Sequence, residues 1–378
     1  MNSITFTCET ITPMFLNGAD GITPELRAPS IKGALRFWWR ALHGHESNMK
    51  ELETKIFGGL GNNTAMRSSF SIQMITPLKD SDIYDLTWKQ IGCEEKVSKK
   101  GKPYIDSRNA KLKGLAYLYY STWLDGENIR KSIKPNVVFE FKIIFHKMEY
   151  FDHIINALKA LVFLGALGTR SRRGSGSFWI KDLNFNEYTD EELRKKEQEL
   201  KKIFHNKGIT SVEGLQEYVE DNFSITSHGR NDYSHLKKAK IYFAQSTTTN
   251  WAISLETIAK PFFEFRTTVK GRITDTPNFG FPILHQNLKT TMQGGKWTVV
   301  NGKKEIDKLE RRSSPLIFKL IKVNEEKVFP IVVWLSGDLI PQGYEIMDKT
   351  GHNQKLANPE IVKEFLDQKF PNLTSIIL

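Results

Sequence analysis

The segment Phe151–Leu164 (FDHIINALKALVFL) is apolar on almost every face. It is long enough for a helix, and the longest apolar stretch, around Ala157–Leu167, is interrupted by Lys159 and Gly165 and is too short to span a bilayer. A helix that is hydrophobic all round must be covered on all sides, so this one has to lie buried between layers of the fold. Alternating segments surround it. Ser3–Thr10 and Asn136–Phe145 alternate as strands do, Ser69–Ile75 is a shorter strand, and Ser177–Phe185 closes the series. Between the first two strands, Ser30 is placed to cap a helix whose Ile31, Ala34, Leu35, Trp38 and Leu42 share one face. The order β-α-β-β-α-β is the split βαβ, or ferredoxin-like, pattern. The fold class predicted is therefore α+β.

Residues 76–135 read as an irregular insertion into this unit, with a basic, mobile stretch at 96–104 (KVSKKGKPY). The domain division predicted is 1–185, an acidic helical linker or insertion over 186–222, and a second unit over 223–378. In the last block, Lys240–Gln245, Pro315–Val323 and Val328–Ser336 look like strands, Glu360–Leu366 looks helical, and Phe262–Lys270 is ambiguous.

Charge follows the same division. Lys and Arg outnumber Asp and Glu by 11 overall, yet the surplus is +9 over 1–181 and +7 over 223–378, against −5 over 182–222. The Glu/Lys-rich middle reads as a solvated helix broken at Gly208, which repels a phosphate backbone. Any polyanion footprint is expected on the flanking blocks. Two cysteines, Cys8 and Cys93, exclude a disulfide scaffold and a cysteine-based zinc cluster. No signal-like segment opens the chain, so a cytoplasmic protein is expected.

Two stretches carry chemistry. In residues 27–42 (RAPSIKGALRFWWRAL), Lys32, Arg36, Trp39 and His43 recur at helical spacing on a face other than the apolar one, with Arg40 beside them. Cations that neutralise phosphates and an indole that stacks on an unpaired base suit single-stranded nucleic acid. The competing reading packs Trp39 against a neighbouring layer and leaves the cations solvated. Residues 165–178 (GALGTRSRRGSGSF) hold four glycines, Arg170, Arg172 and Arg173, and no acid. Glycines let a backbone approach phosphates closely, and guanidiniums bind them bidentately. The stretch lacks the Lys-Ser/Thr of a nucleotide P-loop and follows a helix rather than a strand, so ATP and NAD are not expected.

Metal and catalytic signals are thin. His43-Gly44-His45 has no third partner nearby, and no nucleophile elbow or Asp-rich two-metal signature occurs. A metal-free ribonuclease needs only a positioned acid–base group, and His43 beside Arg40 keeps that alternative open.

The run at 12–42 (TPMFLNGADGITPELRAPSIKGALRFWWRAL) and the Gly/Arg loop resemble the RAMP superfamily of CRISPR-associated proteins. Within it they are similar to the first-subunit family of type III-B Cmr effector complexes, and FGFPI (279–283) and RRSSPLIFKL (311–320) are similar to that family's C-terminal half. The resemblance implies two ferredoxin-like domains in tandem and a place capping one end of a ribonucleoprotein that carries guide RNA and captures target RNA. It implies single-stranded RNA and the other Cmr subunits as partners, no cofactor, metal, membrane or small-molecule substrate, and no catalysis by this subunit. By that likeness the RNA contacts are Lys32, Arg36, Trp39, Arg40, Arg170, Arg172 and Arg173, with Arg27, Arg311 and Arg312 facing either RNA or a partner. It also favours the exposed, stacking reading of Trp39. The rivals are a metal-independent endoribonuclease acting on guide RNA and a pure assembly module.

Overall fold

The computed structural model describes residues 2–44, 46, 48–61, 64–84, 86, 88–97, 101, 103–106, 109–122, 130–186, 191–204, 209–223, 234–246, 248–269, 272, 274–280, 283–285, 290–300, 303–309, 312–325, 327–341, 343–348, 358–371 and 373–378. Residues 98–100 and 102 of the stretch expected to be mobile (96–104), the break at Gly208 and Arg311 lie outside these residues, while the two ends of that stretch belong to paired strands, Glu94–Val97 and Pro103–Asp106.

The first sheet comprises β1 (Ser3–Thr10), β2 (Phe70–Met74), β3 (Val138–Phe145) and β4 (Phe178–Asn186). Its order is β4-β1-β3-β2 with every neighbour antiparallel. The crossovers are α1 (Ala28–His43) between β1 and β2, followed by α2 (Met49–Phe57), and α4 (Phe151–Leu164) between β3 and β4. Alternation explains the seating: Ile4, Phe6 and Cys8 of β1 and Phe139, Phe141 and Ile143 of β3 are buried on one face.

The same order recurs later in the chain. Strands β5 (His235–Phe243), β6 (Leu316–Asn324), β7 (Lys327–Ser336) and β8 (Thr374–Ile377) form a second sheet ordered β8-β5-β7-β6, crossed by α7 (Trp251–Thr268) and α8 (Glu360–Lys369). Of the ambiguous Phe262–Lys270, helix α7 takes Phe262–Thr268, and Lys270 lies outside the described residues; Asn250 caps the helix, its Oδ1 accepting from Ala252 N–H at 3.0 Å and Ile253 N–H at 3.2 Å. A third sheet, of Ile283–His285, Thr290–Val300, Lys303–Leu309 and Glu345–Asp348, carries no clear sequence signal.

The second sheet is buried on both faces, which is why PLIFKLIKV reads as a continuous apolar run rather than an alternation. Ile317, Ile321 and Val323 join the core that holds α1 and α4, whereas Leu316, Phe318 and Leu320 join the core of α7 and α8. The layers thus run sheet, helices, sheet, helices. Helix α4 lies between the two sheets, as its all-round apolarity requires.

Three sequence expectations are corrected. Helix α1 begins at Ala28, not after Ser30; Arg27 takes the N-cap position, and a proline in the first turn supplies the right backbone angle. The acidic middle is not a solvated linker. Its helices α5 (Glu191–Phe204) and α6 (Val212–Asn222) bury Leu200, Phe204, Leu215, Tyr218 and Val219 in the first core. Phe204 stacks on Phe163 of α4 at 6.1 Å and 7°, so charge covers only the outer face. The insertion at 76–135 likewise contains a docked helix, α3 (Lys113–Tyr119), whose Leu115, Leu118 and Tyr119 enter the second core. A Cβ on Gly114 would lie 2.1 Å from the Lys260 nitrogen, so α3 and α7 touch backbone to backbone.

Candidate nucleic-acid interface

The Gly/Arg loop joins α4 to β4 and is held from both ends. Thr169 N–H donates to the Phe15 carbonyl at 2.8 Å, Leu167 N–H to Gly176 at 3.0 Å, and Gly176 N–H to Pro13 at 3.0 Å. Gly176 has φ +71, and a Cβ there would lie 1.8 Å from the Leu167 carbonyl oxygen, so only glycine fits. Arg170 itself adopts φ +65, a left-handed conformation that costs a non-glycine residue about 1–2 kcal/mol. The loop then pairs with the second sheet: Phe318 N–H donates to the Arg172 carbonyl at 3.2 Å, and Arg173 bridges Phe318 in parallel sense.

That seam gathers arginines from distant parts of the chain. A cavity of about 390 Å³ is lined by Arg170, Arg172 and Arg173 of the loop, Arg266 of α7 and Arg312 before β6. Among the described residues no carboxylate lines it; Tyr117, Tyr120, Phe279 and Ser314 complete its walls. Arg173 Nη2 donates to the Phe279 carbonyl at 2.9 Å, Arg172 donates to the Ser314 carbonyl, and Arg266 donates to Tyr117 Oη and the Thr276 carbonyl, each at 3.1 Å. Burial pushes the Arg172 guanidinium down to about 10. Burial, opposed by Tyr117 and reinforced by repulsion from Arg170, Arg266 and Arg172, pushes Arg173 down to about 9. Both still carry their charge at neutral pH. The result is a concentration of guanidiniums around a concavity with no carboxylate among its described lining residues, an arrangement that attracts anions.

The cavity continues along the loop. It shares Arg172 and Ser171 with a pocket of about 210 Å³ floored by Ala34 and Phe37 of α1, and Ser171 and Ala34 also line a third of about 540 Å³ that reaches Ser30, Gly168 and Arg130. Ser30, Ala34 and Phe37 fall on one face of α1, so loop and helix do form a groove.

The helix cations are on the other side. Glu53 of α2, 8% exposed, accepts from Arg40 Nε at 2.9 Å and Nη2 at 2.5 Å, and also from Arg36. Lys32 lies 5.2 Å from the Phe70 ring centroid, and burial, with the nearby Arg36 charge, lowers its ammonium. Trp39 is 0% exposed, stacked on His43 at 4.8 Å and directed at His153 Nδ1 at 3.5 Å. The expected exposed indole is therefore corrected: α2 covers this face of α1 and Trp39 is a core residue. His43 bonds Glu46 at 2.6 Å and His153 at 3.3 Å on that same side of the helix. Arg27 lies 3.7 Å from Glu25 at the helix start. Of the sequence candidates, the structure brings Arg170, Arg172, Arg173 and Arg312 together and separates them from Lys32, Arg36 and Arg40.

Arg266, Tyr117 and Tyr120 were not found from sequence. Arg266 carried a readable signal. It continues the buried stripe Leu255, Ala259, Phe262 of α7, and a cation on a buried stripe needs a partner. Among the described residues no group of His, Cys, Asp or Glu is arranged to hold a metal ion, and no helix is long and apolar enough to cross a membrane.

Residues 7–179 match the RAMP superfamily. The CRISPR system Cmr subunit Cmr1-2 of Pyrococcus furiosus is 30% identical over 194 residues, which is 47% of this chain and 95% of that protein. This chain belongs to the RAMP superfamily. It is a Cmr1-like member: subunit Cmr1-1 of the same organism is 32% identical over 164 residues, 42% of this chain and 41% of that longer relative. The fold likeness extends over the whole RAMP chain. The crystal structure of apo Cmr1 from Pyrococcus furiosus aligns with TM-score 0.53 and 19% identity, covering 100% of this chain and 98% of that one. A chain of the type III-B Cmr-beta complex bound to cognate target RNA, solved by cryo-EM, aligns with TM-score 0.56 and 15% identity over 97% and 98% of the two chains. The RAMP match at 7–179 contains the Gly/Arg loop and α1, whereas Arg266 and Arg312 lie beyond it.

Proposed function

We propose that this chain is a non-catalytic RNA-binding subunit of a type III-B Cmr ribonucleoprotein in the cytoplasm. It caps the assembly and helps to hold target RNA paired to the guide. We infer that its two halves, 1–185 and 223–378, are tandem ferredoxin-like RAMP units, with 186–222 packed onto the first as a cover. The observation that carries the reading is the seam itself: five arginines facing one concavity that has no carboxylate among its described lining residues. The Cmr1 relatives and the RNA-bound Cmr-beta complex support the choice of RNA as polyanion and of Cmr subunits as partners. Sequence is read by guide–target pairing, while the protein supplies backbone contacts and shape.

The test is fluorescence anisotropy of the full chain with single-stranded RNA across a salt series. Each phosphate neutralised contributes about −0.7 to the slope of log K against log [salt], so a slope of roughly −3 to −5 is expected. Replacing Arg170, Arg172 and Arg173 together by Gln is expected to flatten it by about 2. Absence of binding at low salt, with partner subunits still captured after nuclease treatment, replaces this reading by the assembly module.

A further inference from the structure

The arginine cavity differs from an ordinary backbone-tracking groove in how its guanidiniums are already used. Arg170 lies 4.9 Å from the Tyr120 ring centroid, Arg172 4.9 Å from Phe37, Arg173 5.0 Å from Phe262 and Arg266 4.9 Å from Phe279. Each of these planar cations therefore has an aromatic ring against one face, which fixes its orientation and directs its hydrogen bonding to its N–H edge; Arg172, Arg173 and Arg266 each place part of that edge on a protein acceptor. Edge donors recognise oxygen acceptors in pairs, as in the two-point contact of a guanidinium with a phosphate. The Nη1 of Arg173 is buried in this cavity with no hydrogen-bond partner among the described residues, a donor waiting for an acceptor.

The charge balance narrows the ligand further. An internal phosphodiester brings one negative charge and two non-bridging oxygens. A terminal phosphate monoester brings about −1.5 to −2 charges at neutral pH and three strong acceptor oxygens. Guanidiniums confined within about 390 Å³ repel one another, and a dianion relieves that repulsion more than a monoanion does. The cavity also adjoins the groove through Arg172 and Ser171, while Tyr117, Phe279 and Gly280 wall it elsewhere. A strand lying along the loop can place its end there.

We propose that the five-arginine cavity is a terminal-phosphate pocket that captures the phosphorylated end of an RNA strand. The inference rests on the RNA-binding reading and specifies which part of the RNA this site takes. The chemistry is that of a phosphate monoester, and the experiment separates a 5′ from a 3′ source. Three RNAs of one sequence, carrying hydroxyls at both ends, a 5′-phosphate or a 3′-phosphate, are bound to the full chain at constant salt. One phosphorylated form is expected to bind at least about fivefold more tightly than the hydroxyl form. In Arg266→Gln that ratio is expected to fall towards one. Because this variant also loses its bonds to Tyr117 and Thr276, a second measurement uses the unaltered protein, in which inorganic pyrophosphate should compete the phosphorylated RNA down to the affinity of the hydroxyl form. Binding of all three RNAs within twofold of one another overturns the pocket and leaves RNA binding standing. Binding of none of them, even at low salt, overturns both.

Discussion

Arg172 of the first unit and Phe318 of the second are joined backbone to backbone, the Phe318 N–H donating to the Arg172 carbonyl at 3.2 Å. The arginine-rich loop is thus an added edge on the second sheet rather than a free surface turn. Its side chains emerge where three elements meet: the loop, α7 and the segment before β6. The geometry of the loop backbone is the precondition for the charge cluster, and it is testable.

Gly176→Ala and Gly21→Ala make an informative pair. Both glycines have φ +71, but a Cβ at Gly21 meets nothing within 4 Å, whereas at Gly176 it strikes the Leu167 carbonyl. Gly21→Ala is expected to destabilise by about 1 kcal/mol, the left-handed penalty alone. Gly176→Ala is expected to exceed it by at least about 2 kcal/mol, a main-chain clash in a packed loop. Urea unfolding of the two variants gives the comparison, and equal midpoints would refute the close approach.

Trp39→Ala is expected to act on stability and not on nucleic-acid affinity. A fully buried indole leaves a large cavity when removed, typically about 3–5 kcal/mol. Denaturant midpoints should fall accordingly, while the RNA affinity of the folded fraction stays within about twofold. A large affinity loss in a variant of unchanged stability would restore the stacking role.

Glu53 fastens α2 to α1 through Arg36 and Arg40. Burial tends to raise its carboxyl, but the hydrogen bonds and charges of Arg40 and Arg36 outweigh this and hold it below the usual carboxylate range. The stability it confers is therefore fully present above the unfolded value near 4.5 and is lost as pH falls through the lower folded value. Glu53→Gln is expected to cost about 1–3 kcal/mol at neutral pH, less than a fully buried pair because both arginines reach solvent. The difference between the variant and the natural chain should shrink in acid; a difference constant from about pH 7 to about pH 3 contradicts the assignment.

Lys319 shares the sign of this dependence but not its origin, because folding here disfavours the charged form. Its side chain is 0% exposed between α4 and the second sheet, its ammonium donates to the Gly165 carbonyl, and burial lowers it to about 7. In the unfolded chain it titrates near 10.5, so between about 7 and 10.5 the unfolded state binds more protons. Stability should rise with pH through that window, by up to about 1.4 kcal/mol per unit, and lose this contribution as pH falls towards 7. Lys319→Met lacks the titrating group, so its urea midpoint should rise less than that of the natural chain between about pH 7 and about pH 9. Parallel pH profiles would show that Lys319 does not titrate in this range.

How legible the molecule was depends on the range of the interaction concerned. Strands β1 and β3 and helix α4 were readable because alternation and all-round apolarity are local properties, imposed on each segment by the layer it must cover. The arginine loop was readable for the same reason: glycines and like charges in one short run report its tight backbone and its concentration of charge. The order of the second unit, by contrast, became visible only with α7 running through Phe262–Thr268, most of the ambiguous stretch.

What the tertiary structure alone decided is the direction of faces. Helix α1 offered two plausible outward surfaces, and the sequence could not say that α2 would cover the one bearing Arg36, Trp39 and Arg40. The decision rests on Glu53, a single carboxylate on the next helix, which compensates two of those cations. The surface left facing the loop carries Ser30, Ala34 and Phe37, which look unremarkable in sequence. In the same way Arg266 joins Arg170, Arg172 and Arg173, which lie more than ninety residues earlier in the chain, only because α7 packs beneath β6. Local patterns determined the elements and marked the loop; long-range packing determined which charges are neutralised within the protein and which remain for a ligand.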